Sequence, residues 1–165
     1  MRRSAFIGGA AALAAAVPLA TRAQTIPGTT YVQQLNLAVS LPLSGTYGPY
    51  GRQIATGIRA AWDENNTSAA PLERVFAVRE FDDEGALAIA MSNIDVATAD
   101  PSVVATIGNF NADVIVGALP QYASVGMPLI VPATTSDSVT QQNYRNVFRL
   151  PPGDSVAGGL FAEAV

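Results

Sequence analysis

Three short stretches concentrate the residues able to do chemistry. Leu43–Tyr50 follows an apolar run with Ser44, Gly45, Gly48, Pro49 and the large aromatic Tyr50. Asp82, Asp83 and Glu84 place three carboxylates in a row, and Ala133-Thr134-Thr135-Ser136 supplies hydroxyls and backbone N–H groups. The chain has no His, Cys or Lys, and all nine basic residues are Arg. Without an imidazole to activate Ser44 or Ser136, a Ser-His-Asp hydrolase is excluded. Without a thiol there is no disulfide, no thiolate zinc site and no cysteine nucleophile. The acidic run suits acid–base or metal chemistry less well than a structural role, with Asp83 capping a helix and Glu84 meeting its positive end. Gly45, Gly48 and Gly51 are spaced G-x-x-G-x-x-G, not G-x-G-x-x-G, yet Asp82 follows the next strand, so a nucleotide-using enzyme stays open as an alternative. What hydroxyls and free N–H groups can do together is hold a small anionic group, with no metal and no cofactor.

The elements that must position these stretches follow from periodicity. Leu35, Leu37, Val39 and Leu41 alternate as a strand, ended by Pro42. After Gly51 the period changes, and Ile54, Ile58, Ala61 and Trp62 fall on one helical face. Asn65–Ser68 reads as a turn. Val75–Phe81 predicts a second strand ending at Asp82 and Asp83. Leu87, Met91, Ile94 and Thr98 trace a second helix, stopped by Asp100-Pro101. Val103–Ile107 predicts a third strand closed by Gly108, and Ala112–Val125 a third helix, kinked or delayed by Pro120. Pro128–Val131 and Val147–Leu150 predict two further strands, and Asp154 or Ser155 caps a last helix. Strands alternating with helices imply an α/β fold with a doubly wound parallel sheet. If the first and third strands flank its reversal point, the loops Leu43–Tyr50, Asn109–Asp113 and Ala133–Asp137 share one crevice.

Composition narrows the class further. The 165 residues are 49% apolar and 13% charged, enough for a sizeable core and too few charges for disorder. A net charge of −4 argues against a nucleic-acid partner. Arg2 and Arg3 precede the Ala-rich run Ala5–Ala20, with small residues at Thr21 and Ala23, the pattern of a secretory signal cut after Ala23. The run is short for a membrane anchor and Pro18 breaks it. Loss of residues 1–23 removes Arg2, Arg3 and Arg22 and moves the net charge from −4 to −7. Residues 24–34 then form a polar tether.

Beyond Leu35 the chain resembles the amino-terminal lobe of type I periplasmic binding proteins of the leucine/isoleucine/valine-binding (branched-chain amino acid) family, solute receptors of ABC transporters. The marks are LSGTYGPYG, WDENN, FDDEGALA, IGNFNADV, MPLIVPATTS and NVFRLPPGDS, in this order and spacing. The resemblance implies a periplasmic protein that binds an amino acid or related small carboxylate and presents it to a membrane permease, and not an enzyme. A ligand-sensing receptor or regulator with the same fold is the alternative. It further implies that Tyr50 is an aromatic wall, that the Ala133 carbonyl accepts from the ligand ammonium, and that Thr135 donates to the carboxylate. The family's other donor, usually a Ser, falls on Ala112 with Asp113 beside it. Residues 35–150 correspond to the lobe and 151–165 to the start of a crossover toward a second lobe, which the family closes over the ligand.

Overall fold

The computed structural model describes residues 33–68 and 74–164. In chain order the elements are β1 (Gln33–Leu41), α1 (Gly48–Ser68), β2 (Arg74–Asp82), α2 (Leu87–Ala99), β3 (Val103–Gly108), α3 (Ala112–Val125), β4 (Leu129–Val131), α4 (Ser138–Gln141), β5 (Val147–Arg149) and α5 (Asp154–Glu163). The five strands form one parallel sheet in the order β2-β1-β3-β4-β5. The chain thus steps outward from β1 to β2 and then back across β1 to β3. This reversal is where open α/β sheets bind ligands, outside the carboxyl ends of the strands. Register makes the edge level there, because Ser40 pairs with both Phe81 and Gly108.

Alternation along β1 divides the core between the two faces. Leu37, Val39 and Leu41 pack with Ala55 and with the half-buried Ile54, Ile58 and Trp62 of α1. Ala38 points to the opposite face, joining Ile94 and Ala97 of α2 and Ile115, Ala118, Leu119 and Tyr122 of α3. Each large side chain fully buried this way contributes about 1.5–3 kcal/mol. The doubly wound α/β architecture expected from the strand–helix alternation is the one observed.

Local differences from the expectations have physical causes. The helix α1 starts at Gly48, earlier than the period change at Gly51, because a turn of hydrogen bonds from Gly48, Tyr50 and Gly51 already winds the chain onto Gly45 and Tyr47. Gly51 is needed for contact and not for a dinucleotide loop, since a Cβ there would lie 1.9 Å from the Pro42 carbonyl oxygen. At its other end α1 continues through Asn65–Ser68, so turn propensity yields to the extension of an established helix. Ala61 faces solvent, and Ala55 takes the buried place. In α2 the buried residues are Ala90, Ile94 and Ala97, while Leu87 and Met91 stay exposed at its flank. Pro120 neither delays α3 nor interrupts it.

Asp83 does not cap α2. The residue before that helix is Ala86, with no side-chain cap, and Asp83 is fully buried. Neither Asp154 nor Ser155 precedes α5, which begins at Asp154 after Gly153. Gln33 and Gln34 belong to β1, not to the tether expected over residues 24–34. Residues 1–23, read above as a secretory signal, and residues 24–32 lie outside the described residues. No helix among the described residues is long and apolar enough to cross a membrane.

Candidate functional site

Loops leaving β1, β2 and β3 meet at the level edge of the sheet. Phe110, just after β3, stacks on Tyr50 with ring centroids 5.7 Å apart and planes 15° from parallel. Tyr47 meets the same ring at 5.6 Å in a tilted arrangement. Such pairs contribute about 0.5–1.5 kcal/mol beyond their buried area. Gly85 of the β2 loop faces both Tyr47 and the Asn111 side-chain oxygen, so three loops converge there. Tyr50 keeps 57% of its surface exposed, leaving an aromatic wall open to solvent.

Carboxylates hold this wall from behind. Asp82 Oδ1 accepts from the N–H groups of Leu43 (2.8 Å), Ser44 (3.3 Å) and Glu84 (2.9 Å). Burial pushes its carboxyl up, but the Ser44 hydroxyl and these N–H groups outweigh it and hold Asp82 below the ordinary aspartate value. Through Oδ1 it shapes the β1 loop. Asp83 Oδ2 accepts from Asn109 Nδ2 at 2.6 Å and its Oδ1 from Gly85 N–H at 2.9 Å. Burial raises its proton affinity, aided by the charge of Asp82, and outweighs the hydrogen bonds from Asn109 and Gly85. Asn109 Nδ2 also reaches Ser40 Oγ at 3.2 Å, and Asn93 Nδ2 joins Ser40 Oγ (3.3 Å) to the Asp82 carbonyl (3.1 Å). Burial, then the nearby Asp83 charge, pushes the Tyr122 hydroxyl far up, and that hydroxyl has no hydrogen-bond partner among the described residues.

The helix α3 starts directly behind Phe110. Its first-turn N–H groups, including those of Ala112 and Asp113, have no partner within the helix. They form the positive end of its dipole, and Asn111 provides no side-chain cap. Ala112 is half-buried and Asp113 exposed. The structure therefore brings Tyr50 together with the Ala112–Asp113 turn by way of Phe110. Ala133 and Thr135 sit on the next loop along the edge, after β4. The Thr135 carbonyl accepts from Arg149 Nη1 at 3.0 Å and from Asp154 N–H at 2.9 Å, so this loop is fastened to β5 and α5.

Sequence reasoning passed over Tyr47, Asn109, Phe110, Asn111 and Arg149. Phe110 carried the same signal as Tyr50, an aromatic among small and polar residues beyond a strand end. Arg149 carried none, because one Arg closing a short strand reads as ordinary alternation. Among the described residues, no group of three or more acidic side chains is placed to hold a metal ion.

Leu/Ile/Val-binding protein homolog 1 of Brucella abortus is 30% identical over 165 residues, covering 100% of this chain and 42% of its own length. Homolog 2 of the same species is 28% identical over 131 residues, covering 79% of this chain and 35% of its own. The chain is a relative of the Leu/Ile/Val-binding proteins. It spans less than half the length of these curated relatives. No family model matches it. A leucine binding protein from Thermotoga maritima superposes with a TM-score of 0.68 at 25% identity, covering 78% of this chain and 35% of that one. An ABC transporter substrate-binding protein from Desulfitobacterium hafniense, solved in complex with Leu, superposes with a TM-score of 0.70 at 23% identity, over 80% and 38% of the two chains. The fold is that of one lobe of a type I periplasmic binding protein, and these relatives are by name binding proteins and not enzymes.

Proposed function

We propose that the chain forms one wall of a solute-capturing component of an ABC transporter, exported to the periplasm and binding an amino acid or related small carboxylate. The observation that carries this reading is the meeting of Tyr47 and Tyr50 with Phe110 at the N-terminal end of α3. Aromatic faces receive the apolar part of the solute, and unpartnered N–H groups at a positive helix end receive its carboxylate. Tyr50 is the wall. Ala112 has no hydroxyl to offer, so the donors there are the main-chain N–H groups of Ala112 and Asp113, and the Asp113 side chain is exposed. Thr135 supplies a hydroxyl from the neighbouring loop, and the Ala133 carbonyl accepts from the ammonium. A membrane permease is the partner that receives the solute. The segment Arg2–Ala23 directs export, so the mature protein begins at Gln24, which mass spectrometry of periplasmic protein would test.

Nuclear magnetic resonance titration of the chain with L-leucine, L-isoleucine, L-valine and small carboxylates tests the reading. One wall alone buries one side of a solute, so affinity on the order of millimolar is expected. Saturable shifts should appear at Phe110, Ala112 and Thr135. A panel that moves none of these amides at any concentration overturns the assignment.

A further inference from the structure

We propose that Arg149 is a positioning residue for the Thr135 loop, and that it ties the loop's hydrogen-bond donors to the start of α5. This rests on the solute-capture reading for the loop's purpose, but the tie itself stands on geometry. Arg149 ends β5 in register with Val131, the residue from which the loop departs. Its side chain is only 10% exposed, and it lies among acceptors of that loop. Nη1 donates to the Thr135 carbonyl at 3.0 Å and to the Ser136 carbonyl at 2.5 Å, and Nη2 lies 3.7 Å from Asp137 Oδ1.

Two successive carbonyls turned toward one guanidinium fix two successive peptide planes. In a trans peptide the N–H points opposite to the carbonyl. With β4 between β3 and β5, carbonyls drawn to the β5 side send the Asp137 N–H toward the β3 side, while the Ser136 N–H donates to Thr134 Oγ1 at 3.3 Å within the loop. Arg149 thereby sets the direction of a donor it never shares a strand with. A guanidinium suits this task because its planar fork serves several acceptors at once, which a lysine ammonium does not do in one plane.

The same acceptors also receive α5. The Thr135 carbonyl takes the Asp154 N–H at 2.9 Å, and Asp137 Oδ2 takes the Ser155 N–H at 3.0 Å. Gly153 fits into the junction so closely that a Cβ would lie 2.0 Å from Asp137 Oδ1 and 2.5 Å from Arg149 Nη2. Loop, arginine and helix start therefore form one latch. A shift of α5 relative to the sheet must either break these bonds or turn the Thr135–Asp137 peptides, so the position of α5 is transmitted to the crevice.

Amide hydrogen exchange on the 165-residue chain, with and without L-leucine, tests the latch in Arg149→Met, Arg149→Lys and Gly153→Ala. Arg149→Met should speed exchange at Asp154 and Ser155 by about tenfold or more while Leu119 and Tyr122 keep wild-type protection. Arg149→Lys should restore part of that protection. Gly153→Ala, which keeps Arg149 but wedges the junction, should reproduce the Arg149→Met pattern and keeps the test intact if the latter does not fold. Leucine affinity, read from amide shifts, should fall about tenfold in both. Unchanged exchange at Asp154 and Ser155 in both variants overturns the latch. Faster exchange with unchanged leucine affinity overturns the positioning role. A wild-type chain indifferent to leucine and to the whole solute panel overturns the ligand reading instead, and the exchange data still decide the latch.

Discussion

Two neighbouring loops at the carboxyl edge of the sheet are held in opposite ways. The loop after β3 is held by buried side chains, with Asn109 Nδ2 donating to both Asp83 and Ser40. The loop after β4 is gripped from the side by Arg149, which bonds to its carbonyls, and it is shared with a helix that has no buried residue. The first arrangement is continuous with the core that holds Leu119 and Tyr122. The second sits beside three-residue strands and exposes Phe148, Leu150, Leu160 and Phe161. A crevice built this way has one wall set by packing and one wall set by a few polar contacts that can be exchanged. On the proposed reading, the packed wall defines the site and the fastened wall reports on what happens beyond it.

The largest effect should come from the packed side. Leu119 is fully buried, and Leu119→Ala should lower unfolding stability by about 3 kcal/mol through lost burial and the cavity left behind. Urea denaturation measures this, and a loss under about 1 kcal/mol would mean that the two sides are equally loose. Next comes the fastened side. Thr135→Ala removes one charge-assisted hydrogen bond to a bound carboxylate and should weaken solute binding about tenfold, with little change in stability. Ala112→Ser should act in the opposite direction by adding a donor at the α3 end. A Thr135→Ala chain that binds every solute as wild type does would make the loop purely structural.

A smaller effect separates the walls by pH. The native Asp83 binds its proton more tightly than an ordinary aspartate, so its contribution to stability is complete below the ordinary value and is lost as pH rises through the raised native value. Asp83→Asn removes that decline. The stability difference, variant minus wild type, should therefore grow across that window and level off above it. Asp82 and Asp100 are held low, destabilise both proteins as pH falls, and cancel in the difference. A difference that is flat with pH would remove the buried carboxylate from the account of the β3 loop. The smallest effect belongs to the far side of the latch. Leu160 is 64% exposed, and Leu160→Ala should change stability by less than about 0.5 kcal/mol.

How legible these walls were in the sequence follows the same division. The span Ala112–Val125 was readable to the residue, because a glycine after it and an apolar face within it agree. The reversal between the first and third strands entered only as a condition, which the structure meets with β1 between β2 and β3. Within Asp82-Asp83-Glu84 only the Asp83 cap was misread, because an acid before a helix looks the same in sequence whether it caps that helix or is buried. What decides the matter is Asn109, 26 residues further on, which no local window contains. Arg149 was invisible for the same reason, since its partners are backbone carbonyls on another loop. Tyr50 stood out as a large aromatic among small residues, but its stacking partner Phe110 was missed because the pair joins two separate stretches of the chain.

The place of β1 between β2 and β3 also governs how the chain can assemble. It is the first described strand to be synthesised, yet both its hydrogen-bonding edges wait for strands made later, β2 at Arg74–Asp82 and β3 at Val103–Gly108. Until then Leu37, Val39 and Leu41 are presented on a strand with two open edges, the arrangement most prone to pairing with a neighbouring chain. Closing parallel pairs across such separations is slow relative to forming helices. While only residues up to Ser68 have been made, β1 has no strand partner on either edge, and shielding it in that interval would limit such pairing.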